Sequence, residues 1–350
     1  MPDPPIVKRS VVLWCEPRPM TRALALLYRA LYGGVLGRLP ERAAIAAGQA
    51  GLRWLPFDRL GAFRLEDARL AVTLGGVRLP NPLILAAMYY DRRILARAMG
   101  LGFGAVTTKS ITRRPRPGHP PPNLVRVRTA AGAGFVNCNG FHNPGLDAFR
   151  ATLRELPHRV PLIVSIAGET ADDYRELAET LAPFADLMEL NVSSPNTALV
   201  YTWSSRPADL YRLLEQVRGA IRVPLIVKLS PDFADANERE IIPAALKAGV
   251  PVINYGNARR VEEPRLSQGA GGLSGPEIFP TTLDNIRRTR ARFGDAVDLI
   301  ATGGVDTPDK ARQLLDAGAT AVGYFTGFVT RGPALARAIL ELLLERRSIV

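Results

Sequence analysis

Lysine, cysteine and histidine are scarce in this 350-residue chain, and long apolar runs are missing. The two cysteines are Cys15 and Cys138; the three histidines, His119, His142 and His158, form no H-x-x-x-H pattern. Such spacing supplies neither a disulfide framework nor a ligand set for a metal, and it fits a reducing, cytoplasmic compartment. No 18 apolar residues follow one another, so no membrane-spanning helix is expected. The first residues carry no uninterrupted apolar core of a signal peptide, so cleavage is not expected either. Basic charge is in excess, at +12, and 40 of the basic residues are arginine against 5 lysines. The arginines run along the whole chain without a block of five or six and without interleaved aromatics, which argues against a nucleic-acid groove. Attraction to anionic lipid or to small anionic substrates is the more natural use of that excess.

What is present describes a globular protein with a sizeable core: 47% of residues are hydrophobic and 22% charged. A chain of this length buries roughly three quarters of its unfolded surface. Eight short apolar runs, bounded by Pro, Gly or Asp, punctuate it: 82–87, 103–109, 161–166, 186–191, 224–229, 251–256, 297–302 and 320–325. Amphipathic helical patterns lie between them, as at 171–184, 207–221 and 307–319. Strands alternating with helices give βαβ units and a parallel sheet covered on both faces. Eight units predict an α/β fold of the (β/α)8 barrel type. The alternating stretch 69–80, turning at Gly75-Gly76, predicts a hairpin that plugs the barrel bottom. A doubly wound open sheet is the alternative, but it would place a Gly-rich turn after its first strand, where this chain has "AAMYYD".

A barrel carries its function at the C-terminal ends of its strands. Those ends read Ala87, Lys109-Ser110, Ser165, Asn191, Lys228, Asn254, Gly303-Gly304 and Phe325-Thr326-Gly327. Two of the five lysines therefore stand at strand ends, where an ammonium stabilises an anion or charge developing on a ring. The plainer reading pairs each with an acid such as Asp232 or Glu189. Glycines after strands seven and eight, each before a helix start, suit a phosphate. Phosphate plus a central lysine points to a phosphorylated planar cofactor, with flavin mononucleotide (FMN) the natural candidate. The Gly-rich stretch 269–276 reads either as a loose loop or as backbone that approaches the cofactor closely.

Residues 21–57 read as two short amphipathic helices with Leu24, Leu26, Leu27, Leu31 and Val35 along one side and Arg22, Arg29 and Arg38 between. This segment is either a helical cap on the main domain or a monotopic membrane-surface segment. Domain bounds of 1–64 for the extension and 65–350 for the barrel follow. His142 reads as a loop histidine satisfied by backbone. Trp14, Trp54 and Trp203 read as packing anchors, with Trp54 the candidate interface residue.

Over roughly residues 65–340 the chain resembles the dihydroorotate dehydrogenase family. The motifs "NPLILAA", "GFGAVTTKSIT", "PRPGHPPPN", "VNCNGFHNPG", "NVSSPNT", "VKLSPD", "GGLSGP", "TGGVDT" and "GATAVGYFTGFVTRGP" occur in the family's order. The resemblance implies a barrel that binds FMN and oxidises dihydroorotate to orotate. It assigns Asn137, Asn139, Gly140, Phe141, Asn191, Asn196 and Asn254 to the pyrimidine. It assigns Lys228 to flavin N1 and the C2 carbonyl, and Ala87, Ser110, Ser165 and Asn191 to the ring. Gly304, Phe325 and Thr326 fall to the phosphate, with Gly275 alongside. Ser194 stands where the family keeps its catalytic base, with Lys109 beside the reacting substrate and 198–207 as a lid. Ser194 and the N-terminal extension resemble the quinone-linked, membrane-associated branch, which makes a quinone the expected acceptor and the inner face of the cell membrane the expected place. Lys109 in "TTKSIT", "SIAG" and "INYGN" resemble the soluble branch. Met88 and Asp91 depart from both and place bulk and negative charge beside an anion site. A flavin enzyme acting on another cyclic imide or enone, or with a soluble acceptor, and a non-catalytic flavin- or nucleotide-binding barrel, are the alternatives. Oligomeric state is not legible.

Overall fold

The computed structural model describes residues 18–194 and 202–347. A two-stranded hairpin, β1 (Val72–Leu74) and β2 (Val77–Leu79), precedes the barrel. The remaining strands in chain order are β3 (Leu83–Tyr89), β4 (Ala105–Thr108), β5 (Leu124–Thr129), β6 (Gly132–Asn137), β7 (Leu162–Ile166), β8 (Leu187–Asn191), β9 (Leu225–Leu229), β10 (Val252–Tyr255), β11 (Arg259–Glu262), β12 (Ala270–Ser274), β13 (Asp298–Thr302) and β14 (Ala321–Tyr324). Eight of them, β3, β4, β7, β8, β9, β10, β13 and β14, close into a parallel barrel in chain order. These are the eight apolar runs of the sequence, and the helical patterns fall at Ala171–Leu181, Pro207–Ala220 and Pro308–Asp316.

Alternation along each strand sets the interior. Ile84, Ala105, Ile163, Leu187, Ile226, Val252, Ile300 and Ala321, one from each barrel strand, pack with Leu74 and Leu79 of the hairpin into a single apolar floor. The hairpin therefore does plug the barrel bottom. Gly75 turns there with φ +55, and a Cβ on it would lie 2.9 Å from Val252 Cγ2. Its N–H donates to Asp298 Oδ2 at 2.7 Å, which locks the plug to β13. Two residues further along each strand, on the same face, stand Ala86, Thr107, Ser165, Glu189, Lys228, Asn254, Thr302 and Gly323. The interior changes from wholly apolar to mostly polar in that one step.

A second sheet, antiparallel in the order β11-β12-β6-β5, is built from the segments that follow β4 and β10. It corrects the reading of 269–276 as a loop, because β12 pairs with both β11 and β6. Glycine-rich sequence has low strand propensity, but close packing demands it here. A Cβ on Gly271 would lie 2.5 Å from Asn137 O, and one on Gly134 would lie 2.4 Å from Ser274 O.

The extension forms α1 (Pro19–Gly34) and α2 (Glu41–Trp54). Thr21 Oγ1 donates to Glu341 Oε1 at 2.9 Å, and Tyr28 Oη to the Val329 carbonyl at 2.7 Å. The face of α1 that packs on the barrel thus runs through Thr21, Leu24, Ala25 and Tyr28, spaced by three and four residues. Leu24 parts company with its expected neighbours: Leu26, Leu27, Leu31 and Val35 are exposed, Leu27 by 69%. Helical phase puts Leu27 about 110° and Leu31 about 70° from the centre of the Thr21–Tyr28 stripe. At the far end, Arg126 of β5 donates to the Gly37 and Leu39 carbonyls between the two helices.

Replacing Leu74, fully buried in the floor, with alanine should cost about 2–5 kcal/mol, as for other buried leucines. Chemical denaturation measures it; an unchanged midpoint would mean that the hairpin is not part of the core.

Candidate active site

The polar layer is one connected circuit. Glu189, 1% exposed on β8, accepts from Ser165 Oγ of β7 at 2.8 Å and, through its other oxygen, from Asn254 Nδ2 of β10 at 2.6 Å. Lys228 Nζ of β9 stands 3.4 Å from Glu189 Oε1. Because a carboxylate only accepts, Ser165 spends its proton on Glu189 and must accept from Ser110, 2.9 Å away. Ser110 in turn accepts from Asn191 Nδ2 at 3.0 Å. Asn257 donates to Asn191 Oδ1 at 3.2 Å and to Ser193 Oγ at 2.7 Å, and Ser193 donates to the Lys228 carbonyl at 2.8 Å. Parallel register makes these meetings possible, since Asn191 and Asn254 both pair with Lys228 across the ladder and Ser165 pairs with Glu189.

The structure thus brings together Ser110, Ser165, Asn191, Lys228 and Asn254, five residues that the sequence placed at strand ends. It also settles the plainer reading of the lysines separately for each. Lys228 does pair with Glu189. Lys109 has no ion-pair partner among the described residues, and Asp232, the other acid considered, accepts from the Arg260 backbone at 3.0 Å. Burial, and then repulsion from the Lys228 ammonium, push the Lys109 pKa down to about 8.

The glycines after β13 and β14 form a second feature. Gly303 and Gly304 adopt φ of +125 and +82, and a Cβ on Gly304 would lie 2.4 Å from Phe279 Cα. A Cβ on Gly327 would lie 2.1 Å from the Val305 carbonyl, so the two turns pack directly on each other. Thr326 Oγ1 meets Ser274 Oγ at 3.1 Å, and a Cβ on Gly275 would lie 3.5 Å from Thr326 Cγ2 and 2.8 Å from Gly134 Cα. Phe325 directs its ring against Tyr89, centroids 5.3 Å apart. Ala87 lies on the upper half of β3, partly buried.

Other positions divide. Asn137, the last residue of β6, donates to the Gly272 carbonyl at 3.3 Å and receives the Asn139 N–H at 3.5 Å. The Asn139 carbonyl accepts from His119 N at 3.4 Å, and Gly140, at φ +62, leaves room for the His119 ring. Phe141 holds φ 57, a strained conformation for a bulky residue, and packs on Ala167 just beyond β7. Ser194 closes the described part of its segment, 7% exposed. Asn196 and residues 198–201 of the 198–207 stretch lie outside the described residues, as does Trp14. His142 Nδ1 meets the Pro117 carbonyl at 3.0 Å, as expected, and its Nε2 also meets Tyr90 Oη. Trp203 packs edge-on against Tyr174, and Trp54 is 64% exposed beneath Arg93.

Asp91 corrects an expectation. Its carboxylate caps α3 (Arg92–Ala98) by accepting from Ile94 N at 3.1 Å, and it bridges Arg53 of α2 at 2.8 Å. An N-cap acid two residues beyond a strand turns back into its own helix, so its charge is spent on the extension.

A family model described as dihydroorotate dehydrogenase matches residues 69–346. The chain belongs to the dihydroorotate dehydrogenase family. A Rhodococcus opacus relative, dihydroorotate dehydrogenase (quinone), is 35% identical over 330 residues, covering 87% of this chain and 91% of its own. A Thermus thermophilus protein of the same name is 36% identical over 296 residues, covering 81% and 84%. Among solved structures, Eimeria tenella DHODH in complex with ferulenol superposes with a TM-score of 0.77 at 25% identity, covering 91% of this chain and 96% of that one.

The dihydroorotate dehydrogenase family is one of oxidoreductases and implies a flavin. The residues here fit one beside its substrate: among the described residues Asn254 Oδ1 is buried without a partner and Lys109 is an unpaired ammonium, and the glycine turns after β13 and β14 hold positive φ and pack too closely for any side chain, which leaves backbone alone to face a ligand there. Glu189 is the member that sequence reasoning undervalued, as a partner for a lysine only. Its signal was period-two spacing, since Leu187, Glu189 and Asn191 share one strand face.

Lys109 carries its charge below about pH 8 and loses it above. Affinity for an anionic ligand that meets this ammonium should therefore fall as pH rises past 8, by up to tenfold per unit, and binding should raise the lysine pKa. Titration of ligand affinity from pH 6 to 10 measures this; a Lys109→Met variant should give a flat, weak profile while keeping its flavin.

Proposed function

We propose that the protein is an FMN-dependent dihydroorotate dehydrogenase that converts dihydroorotate to orotate in pyrimidine biosynthesis and uses a quinone as electron acceptor. The observation that carries this reading is the presence, at one barrel mouth, of an acceptor and an ammonium that have no partner among the described residues, together with close-packed glycine turns after β13 and β14. When bound, FMN would accept hydride from C6 of the substrate and relay the electrons to quinone.

The chain's own residues do the rest. Gly304, Phe325 and Thr326 would hold the phosphate, with Gly275 alongside. Ala87, Ser110, Ser165 and Asn191 would hold the ring, and Lys228 would hold N1 and the C2 carbonyl, where an ammonium balances charge gained on reduction. Asn137, Asn139, Gly140, Phe141, Asn191, Asn196 and Asn254 would orient the pyrimidine, whose N–H and C=O groups match an amide's donor and acceptor. Lys109 would draw the substrate carboxylate. Ser194 removes the proton from C5. A serine hydroxyl is a weak base in water and works only where burial and a hydrogen-bonded relay remove the proton; Ser194 is buried, one residue from the Ser193 hydroxyl that joins Asn257 to Lys228.

Residues 1–64 serve as the extension and 65–350 as the catalytic barrel. No helix among the described residues is long and apolar enough to cross a membrane. Leu26, Leu27 and Leu31 stand exposed on α1 and Val35 just beyond it, with Leu55 and Phe57 beyond α2. That pattern suits peripheral contact with a bilayer, on the inner face of the cell membrane, where the quinone dissolves.

Anaerobic dihydroorotate should bleach the visible flavin band of the purified protein; a colourless protein, or one unbleached at saturation, would remove the proposal. Ser194→Ala should slow bleaching by orders of magnitude with FMN retained, and an unchanged rate would assign the proton to another base. Leu27→Glu combined with Leu31→Glu should abolish co-sedimentation with vesicles of anionic phospholipid and leave bleaching by dihydroorotate intact. Undiminished sedimentation would put the membrane contact elsewhere.

A further inference from the structure

The circuit at the barrel mouth converges on one group. Ser165, Lys228 and Asn254 come from three different strands, and each directs a donor at the Glu189 carboxylate, at 2.8, 3.4 and 2.6 Å. Nothing else in the interior carries negative charge at this level: the floor beneath is aliphatic, and the neighbouring positions of the layer are Ala86, Thr107, Thr302 and Gly323. Three consequences follow from that placement. The Ser110–Ser165 pair has a fixed sense, because Ser165 must give its proton to the acid. Asn254 has a fixed sense too, because only its amide nitrogen can face a carboxylate, and its oxygen is left buried without a partner among the described residues. Lys228 keeps a counter-charge 3.4 Å away, so the pair is neutral and Lys109 alone leaves the three groups with a net single positive charge.

We infer that Glu189 is a positioning residue that sets two properties of the site: it turns Asn254 so that the asparagine meets its ligand as a hydrogen-bond acceptor, and it offsets the Lys228 ammonium so that the flavin potential is held down. This rests on the flavin reading above. A carboxylate buried in the interior acts more strongly on a charge one contact away than it would in water, because water and salt screen it less there. Removing its charge without its bulk raises the net charge of the three groups from one to two, which favours electrons on the ring. A glutamine can also turn an N–H toward Asn254, which then has no reason to keep one orientation.

The test uses flavin-loaded Glu189→Gln protein, with potential read by equilibration against a reference dye and orotate affinity read from the perturbed flavin spectrum. At fixed solution potential the reduced-to-oxidised ratio should rise at least tenfold, about 30 mV for a two-electron couple, and orotate should bind at least tenfold more weakly. A group that merely supported the barrel would lower thermal stability and leave both readouts alone, and an unchanged or lowered potential overturns the inference. Should the glutamine variant not fold, Glu189→Asp keeps the charge and withdraws it by one methylene. Its potential should stay within threefold of the wild-type ratio while orotate affinity falls tenfold, and undiminished affinity would sink the role assigned to Glu189. Wild-type protein that takes up no flavin would instead sink the functional reading itself.

Discussion

In a closed parallel barrel every second side chain of every strand points at one axis, and here that rule divides the interior into layers. Ile84, Ala105, Ile163, Leu187, Ile226, Val252, Ile300 and Ala321 make a floor with the hairpin leucines. The next inward positions include Ser165, Glu189, Lys228 and Asn254, which hydrogen-bond or pair with one another. Shifting any one strand by a single residue would turn its polar group outward and leave the others buried without partners. Closure, register and the chemistry of the mouth are therefore one requirement. The cost of burying Glu189 and Lys228 is offset because each finds the other and because Ser165 and Asn254 fill the carboxylate's remaining lone pairs.

Much of this was legible from the sequence. Apolar runs ending in polar residues located all eight barrel strands, and reading their ends located Ser110, Ser165, Asn191, Lys228 and Asn254. The β11-β12-β6-β5 sheet was not legible, because β12 is "AGGLS" and gains its place from the close approach of Asn137 and Leu266 rather than from its own propensity. Glu189 was named but not valued, since an acid in an apolar strand looks like the answer to a nearby lysine until its other two donors are seen. Which face of α1 meets the barrel was not legible either, because it is set by Thr21 and Tyr28, through hydrogen bonds to Glu341 and Val329, as well as by Leu24.

The departures from the family pattern look different once placed. Asp91 stands near the mouth in sequence, but its carboxylate is engaged by Arg53 and by the first turn of α3. It ties the extension to the barrel, as Arg126 does from β5 through the Gly37 and Leu39 carbonyls. Lys109 is then the strand-end cation without a described partner. The extension is joined to the barrel through Glu341, Val329, Asp91 and Arg126, and through Asp58, which pairs with Arg97 and Arg159; its exposed leucines take no part in those attachments.

The sealed floor has one more effect. With Leu74 and Leu79 closing one end, dissolved ions reach the inner charges from above alone, and an occupied mouth shuts even that route. Ionic strength can then alter how fast an anion finds the opening, through the protein's overall +12, without altering the field it meets at the bottom. Capture and conversion are, in that sense, electrically insulated from each other by a handful of aliphatic side chains.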